Sequence, residues 1–79
     1  MNIFVGNLSE EFSEFSLTEL FQQFGLVRSV KVVKDSYGGI FKVFGFVEMF
    51  SESDAVNAIK RLNNKPFFGK RIMVNKREI

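Results

Sequence analysis

The order of hydrophobic periodicities along this 79-residue chain predicts an α+β sandwich with element order βαββαβ: a four-stranded antiparallel sheet with two helices on one face. Three observations carry that expectation. Two stretches, opening near Ser16 and Ser51, have apolar residues at helical spacing. Four short runs rich in valine, isoleucine and phenylalanine flank them. Glycine, proline or paired asparagine separates most of the elements.

Taken in order, Asn2 to Val5 alternates polar and apolar and reads as a short strand stopped by Gly6-Asn7. Ser16 followed by Glu19 has the spacing of a capping box, and Leu17, Leu20, Phe21 and Phe24 form the apolar stripe of a first helix. Gly25 stands where a helix C-terminal glycine belongs. Val27 to Lys34 is the valine-rich second strand, Asp35 to Gly39 a turn, and Lys42 to Met49 the third strand. Ser51 and Asp54 start a second helix carrying Ala55, Ala58, Ile59 and Leu62 on one face, and Asn63-Asn64 ends it. Pro66 to Gly69 reads as a short aromatic connector, and Arg71 to Asn75 as the last strand. Two helices alternating with four strands in this order make the split βαβ, or ferredoxin-like, sandwich, expected here as a single domain over residues 1–79.

Composition narrows the chemistry. The chain has 46% hydrophobic and 25% charged residues, a globular balance, with no cysteine and no histidine. Disulfides, thiolate metal sites and every Ser-His or Cys-His arrangement are thereby excluded, and neither catalysis nor a cofactor is expected. No apolar run approaches the ~20 residues of a membrane helix, and no basic n-region precedes a hydrophobic stretch. A cytoplasmic monomer without membrane contact is the expectation. The net charge of +2 is unevenly spread: residues 1–26 hold four glutamates and no Lys or Arg, while residues 27–79 hold all 11 basic residues against five acidic ones. Such a split points one surface toward an anionic partner.

The topology leaves one sheet face without helices, and strand parity says which side chains occupy it. In the third strand Val43, Gly45, Val47 and Met49 share one face, and Lys42, Phe44, Phe46 and Glu48 the other. The face bracketed by Lys42 and Glu48 is the solvated one. In the first strand Ile3 and Val5 turn inward, and Phe4 shares its face with Asn2. In the last, Ile72 and Val74 turn inward, leaving Arg71, Met73 and Asn75 outward. Val27, Val30 and Val32 do not hold one parity, so a bulge is expected in the second strand, which puts Lys31 and Val33 on the open face. Three phenylalanines, Phe4, Phe44 and Phe46, thus lie on a helix-free face among Lys31, Lys42, Arg71 and Asn75. Only four residues follow Asn75 here, little chain to cover them. An apolar patch of this kind marks an interaction site. Rings interleaved with cations suit single-stranded nucleic acid, whose free bases stack on rings and whose phosphates pair with Lys and Arg.

These residues also carry a family resemblance. Ile3-Phe4-Val5-Gly6-Asn7-Leu8 is similar to the hexapeptide of the RNA recognition motif family, and Lys42-Val43-Phe44-Gly45-Phe46-Val47-Glu48-Met49 resembles its octapeptide. With Leu20-Phe21, Phe24-Gly25 and Gly69 to Asn75 the resemblance spans essentially the whole chain, which is similar to stand-alone single-motif bacterial RNA-binding proteins. It implies that Phe4 and Phe44 or Phe46 stack on bases or sugars, that Lys42 pairs with a phosphate and that Asn75 hydrogen-bonds a base. Val43 and Met49 depart from the pattern where the family prefers glycine and an aromatic ring; by parity both lie on the helix-covered face.

The expected ligand is therefore single-stranded RNA, with single-stranded DNA as an alternative strand. Arg77 is a further candidate for phosphate, and Ser29, Lys31 and Met73 for base preference. The rival reading is a protein-binding module that uses the sheet or the acidic first helix. Acylphosphatases share the fold class but need an arginine in the loop after the first strand, and Gly6 to Phe15 has none. Metal chaperones of this fold need cysteines. Glu10-Glu11 reads as a solvated pair. Gly38-Gly39 lacks the Lys-Ser/Thr of a nucleotide loop. Phe12 and Phe15 are expected to anchor their loop over the core, and Phe67-Phe68 the exit of the second helix.

Overall fold

The alternation read from the sequence becomes a sheet with one apolar and one mixed face in the computed structural model, which describes residues 1–77. The elements are β1 (Asn2–Gly6), α1 (Glu14–Gln22), β2 (Val27–Tyr37), β3 (Ile40–Met49), α2 (Glu52–Leu62), β4 (Pro66–Phe67), β5 (Lys70–Arg71) and β6 (Met73–Lys76). The four long strands form one antiparallel sheet in the order β2-β3-β1-β6. The two helices cover one face of it. Ile3, Val5, Val43, Val47, Met49 and Val74 from the strands meet Leu17, Phe21, Ala55, Ala58 and Leu62 from the helices, all buried. The close approach of helix to strand is set at Gly45, where a Cβ would lie 2.8 Å from a Leu17 methyl and 3.0 Å from the Lys31 carbonyl oxygen. Val43 and Met49 are both core residues, so the two departures from the family pattern are absorbed by packing beneath the helices.

Four local expectations are corrected. The first helix begins three residues early. Ser13, not Ser16, is its N-cap: the Ser13 hydroxyl accepts from the Ser16 N–H at 3.1 Å, and the Ser16 hydroxyl accepts from the Ser13 N–H at 2.8 Å. The capping box is thus closed by two serines, and Ser16 is its third helical residue. Second, Asp35, Ser36 and Tyr37 belong to β2 and Ile40-Phe41 to β3, leaving only Gly38-Gly39 as the turn. Both glycines have positive φ, +56° and +83°, as a two-residue turn between right-twisting strands requires. Third, the connector after α2 is a second small hairpin: β4 pairs with β5 across Phe68-Gly69, also at positive φ. Arg71 therefore sits in that hairpin, and the last strand of the main sheet starts at Met73. Fourth, Phe15 points to solvent at 72% exposure, whereas Phe12 is buried and anchors its loop, with the Phe68 ring edge-on at 5.1 Å. The expected bulge in β2 lies between Val27 and Ser29, and α2 starts as expected with the Ser51 hydroxyl accepting from the Asp54 N–H.

Candidate functional site

The face opposite the helices is organised by strand register. Phe4 is the Cα partner of Asn75 on one side and of Phe46 on the other, and Phe46 is the partner of Lys31. Asn75, Phe4, Phe46 and Lys31 thus form one row across all four strands. Two residues along, Phe44 pairs with Val33, and beyond it Lys42 pairs with Asp35. Asn2 pairs with Glu48 at the other end, where the Glu48 carboxylate also faces Ser29 at 3.4 Å. Met73 is exposed and partners Gly6.

The three phenylalanine rings form a triangle. Their centroids are 5.8–6.1 Å apart, with interplanar angles of 33°, 56° and 82°. Each ring is half-buried, because its neighbours are the other two rings and not a helix. Arg77 completes the cluster: its guanidinium carbon lies 4.3 Å from the Phe46 centroid, cation–π geometry that occupies one side of that ring. Its backbone N–H donates to the Asn2 carbonyl, which extends the β6–β1 pairing by one residue.

The cations divide into two groups. Lys31 and Lys42 are exposed on the open face, and among the described residues the one ion pair is Arg28–Glu48 at 3.9 Å. Arg71 is drawn away from this face: it donates to the Asn64 carbonyl at 2.8 Å, and its own carbonyl accepts from the Asn7 amide at 2.7 Å. The assignment of Arg71 to the sheet face rested on a strand that starts two residues later, and the residue ties the β4–β5 hairpin to the exit of α2 instead.

At the rim of the face, where β3 runs on past the end of β1, lies a depression of about 250 Å³. Phe4 and Phe44 form part of its wall, Lys42 and Lys70 supply positive charge, and Gly6, Asn7, Phe41 and Val43 complete it. Lys70, Asn7 and Phe41 are neighbours of this site that sequence reasoning missed. Lys70 was hidden because the hairpin that presents it turns at Phe68, a residue type that rarely takes positive φ. The Asn-Gly-like signal of a two-residue turn was therefore absent from the sequence.

A family model described as the RNA recognition motif matches residues 3–73. RbpA of Synechocystis sp. is 38% identical over 76 residues, 96% of this chain and 75% of that protein. The RNA-binding protein BRN1 of Arabidopsis thaliana is 41% identical over 73 residues, 92% of this chain but only 17% of BRN1. Among solved structures, the crystal structure of RNA binding protein PG1 superimposes with a TM-score of 0.87 at 44% identity, covering 98% of this chain and 93% of that one.

Proposed function

The chain belongs to the RNA recognition motif family, a family of non-catalytic modules, and we propose that it binds single-stranded RNA on the open sheet face. The observation that carries this reading is the ring triangle of Phe4, Phe44 and Phe46, set on the helix-free face in register with Lys31 and Asn75. Unpaired bases present flat faces to such rings, and a duplex keeps those faces stacked internally. Among the described residues no cation lies over Phe4 or Phe44, and these two rings receive bases directly. Lys42, at the rim depression, takes a phosphate, and Lys31 a second. Asn75, beside Phe4, offers an amide donor and acceptor to a base edge. Asn2 and Met73 border the platform. Arg77 covers Phe46, so a base that uses this ring displaces the guanidinium, which is then available to a phosphate. Three stacks of about 1–3 kcal/mol each, reduced by the entropy of ordering the strand, correspond to micromolar affinity for a short RNA.

The test is a titration of the chain with short single-stranded RNA and with duplex of the same sequence, followed by amide NMR. Single strands should bind more tightly and shift resonances of β1 and β3. Equal or tighter duplex binding removes the stacking mechanism. A protein-binding role is the second reading. It is favoured by Leu26 and Phe50, exposed at 74% and 64% and joined by a backbone hydrogen bond at the opposite end of the sheet from the rim depression. Under that reading RNA leaves the sheet resonances unmoved.

A further inference from the structure

The two lateral edges of the domain carry opposite chemistry. Along the β2 edge lies α1, tied to it where the Val32 N–H donates to the Glu14 carboxylate at 3.3 Å. Glu10, Glu11, Glu14 and Glu19 are all exposed there, and Lys34 stands among them with its ammonium donating to the Glu10 carbonyl at 3.0 Å. Phe15, beside Glu14, is an exposed ring that the core does not use. Along the β6 edge lies α2, tied to it where the Val74 N–H donates to the Asn63 amide oxygen at 2.9 Å. Val56, Lys60 and Asn63 recur at i, i+4 and i+7, so Val56 and Lys60 share the flank that Asn63 turns toward β6. Lys76, the β6 partner of the inward-facing Ile3, is exposed on the same side of the sheet. Glu52, one turn before Val56, subtracts one charge. One edge is thus acidic around an exposed phenylalanine, the other basic around an exposed valine. On each edge a helix side chain also takes up an outward strand N–H, which disfavours direct strand pairing and leaves side chains to meet.

We propose that these two edges dock on one another between successive copies of the chain on one RNA strand, so that long single-stranded RNA is bound cooperatively. This inference rests on the RNA-binding reading above. The row Asn75, Phe4, Phe46 and Lys31 crosses the sheet from β6 to β2, so a strand that follows it enters over one edge and leaves over the other. An RNA strand has a direction, and copies bound in one mode follow one another in one orientation. The β2 edge of each copy then meets the β6 edge of the next, a heterologous contact between unlike surfaces. There the acids around Phe15 face Lys60 and Lys76, and Phe15 and Val56 supply apolar area that the fold leaves in water. Exposed charge pairs and a single ring hold two free proteins together only weakly. Neighbours on one strand meet at an effective concentration on the order of millimolar, enough to populate a weak contact. A chain that is monomeric in solution thereby fills a strand in runs.

The experiment takes the hexanucleotide that the wild-type chain selects from a randomised pool and builds RNAs with three copies of it. The copies are set close, at gaps of zero to four nucleotides, or held apart by long abasic spacers. Fluorescence anisotropy gives the affinity per site. Wild type should bind the best close array roughly 5- to 30-fold more tightly per site than the spaced one, and the ratio should shrink as salt rises. Glu19→Lys and Lys60→Glu, each alone, should bring the ratio near one while the single hexanucleotide is still bound. Phe15→Ala should lower the ratio with the thermal midpoint unchanged. An equimolar mixture of the two charge variants should recover most of the gain, because in an alternating run every contact again joins opposite charges; a folding defect is not repaired by mixing. Equal affinity per site in close and spaced arrays overturns the docking and leaves the RNA reading standing. A gain that survives both reversals, or that the mixture does not recover, does not come from these edges and overturns it equally. If the wild-type chain selects no hexanucleotide, both fall together.

Discussion

The two faces of β3 use the same strand for opposite purposes. Val43, Gly45, Val47 and Met49 are buried beneath the helices, and at Gly45 not even a methyl group fits without displacing Leu17. On the other side Lys42 is exposed and Phe44, Phe46 and Glu48 are half-buried, with the rings leaning on Phe4 and on each other. Phenylalanine stands on both sides of the sheet: Phe21 of α1 is fully buried in the core, while Phe44 is only half-buried. What separates a core ring from an open-face ring here is its neighbours, not its hydrophobicity. The difference should appear as a division between stability and affinity.

The largest expected effect lies on the helix side. Phe21→Ala should cost about 3–5 kcal/mol in urea denaturation, a large part of the stability of a domain this small. Gly45→Ala should cost about 1–3 kcal/mol, because its methyl is pressed between Leu17 and the Lys31 carbonyl. On the open side, Phe44→Ala should lose about 1–3 kcal/mol of RNA affinity while costing only about 1 kcal/mol of stability, the worth of its ring contacts. If Phe44→Ala unfolds as readily as Phe21→Ala, the triangle is core and the contrast between the faces disappears. If it stays folded and binds RNA normally, the protein-binding reading takes the lead.

How far this contrast could be read without coordinates depended on how local its cause was. Parity alone placed Phe4, Phe44 and Phe46 together, because a strand buried on one side repeats every two residues. It also located the bulge of β2, where the valines change phase between Val27 and Val30. Signals that depend on a partner elsewhere were less legible. Ser16-Glu19 matched the spacing of a capping box, yet Ser13 caps the helix because two serine hydroxyls answer one another's N–H groups. Asp35 to Tyr37 looked like turn residues, but two glycines close the hairpin by themselves and release the other three to the ladder. The capture of Arg71 by Asn64 and the seat of Arg77 on Phe46 are contacts of flexible side chains, which no pattern in the sequence records.

A smaller effect separates the charges of the open face from its rings. If Lys42 and one or two other cations neutralise phosphates, log affinity should fall with log salt with a slope of roughly −1.5 to −2. Lys42→Ala should flatten that slope by about 0.7 and weaken binding to all sequences alike, whereas Phe44→Ala should weaken binding and leave the slope in place. The pair of slopes, measured by anisotropy between low and moderate salt, distinguishes a phosphate contact from a stack. An affinity that ignores salt means that the partner is not a polyanion.

The smallest expected effect belongs to Arg77, where two contributions oppose each other. Its guanidinium lies on Phe46, a contact worth about 0.5–1 kcal/mol at an exposed site. A base that takes the ring must first displace it, so the wild-type chain gives up that contact on binding. The displaced charge then meets the phosphates of the strand, a gain that salt screens. The cost of displacement is short-range and persists when the long-range attraction is gone. Arg77→Ala should therefore bind single-stranded RNA less tightly than wild type at low salt and at least as tightly at high salt. Its two affinity curves should cross and its slope should be shallower by about 0.7. Its thermal stability should fall only slightly, since the backbone hydrogen bond to Asn2 does not need the side chain. Curves that run parallel, with the variant weaker at every salt, would assign Arg77 to the platform itself, closing over a base from above; a variant that never weakens at low salt would leave the guanidinium as a cover for Phe46 with no phosphate to meet.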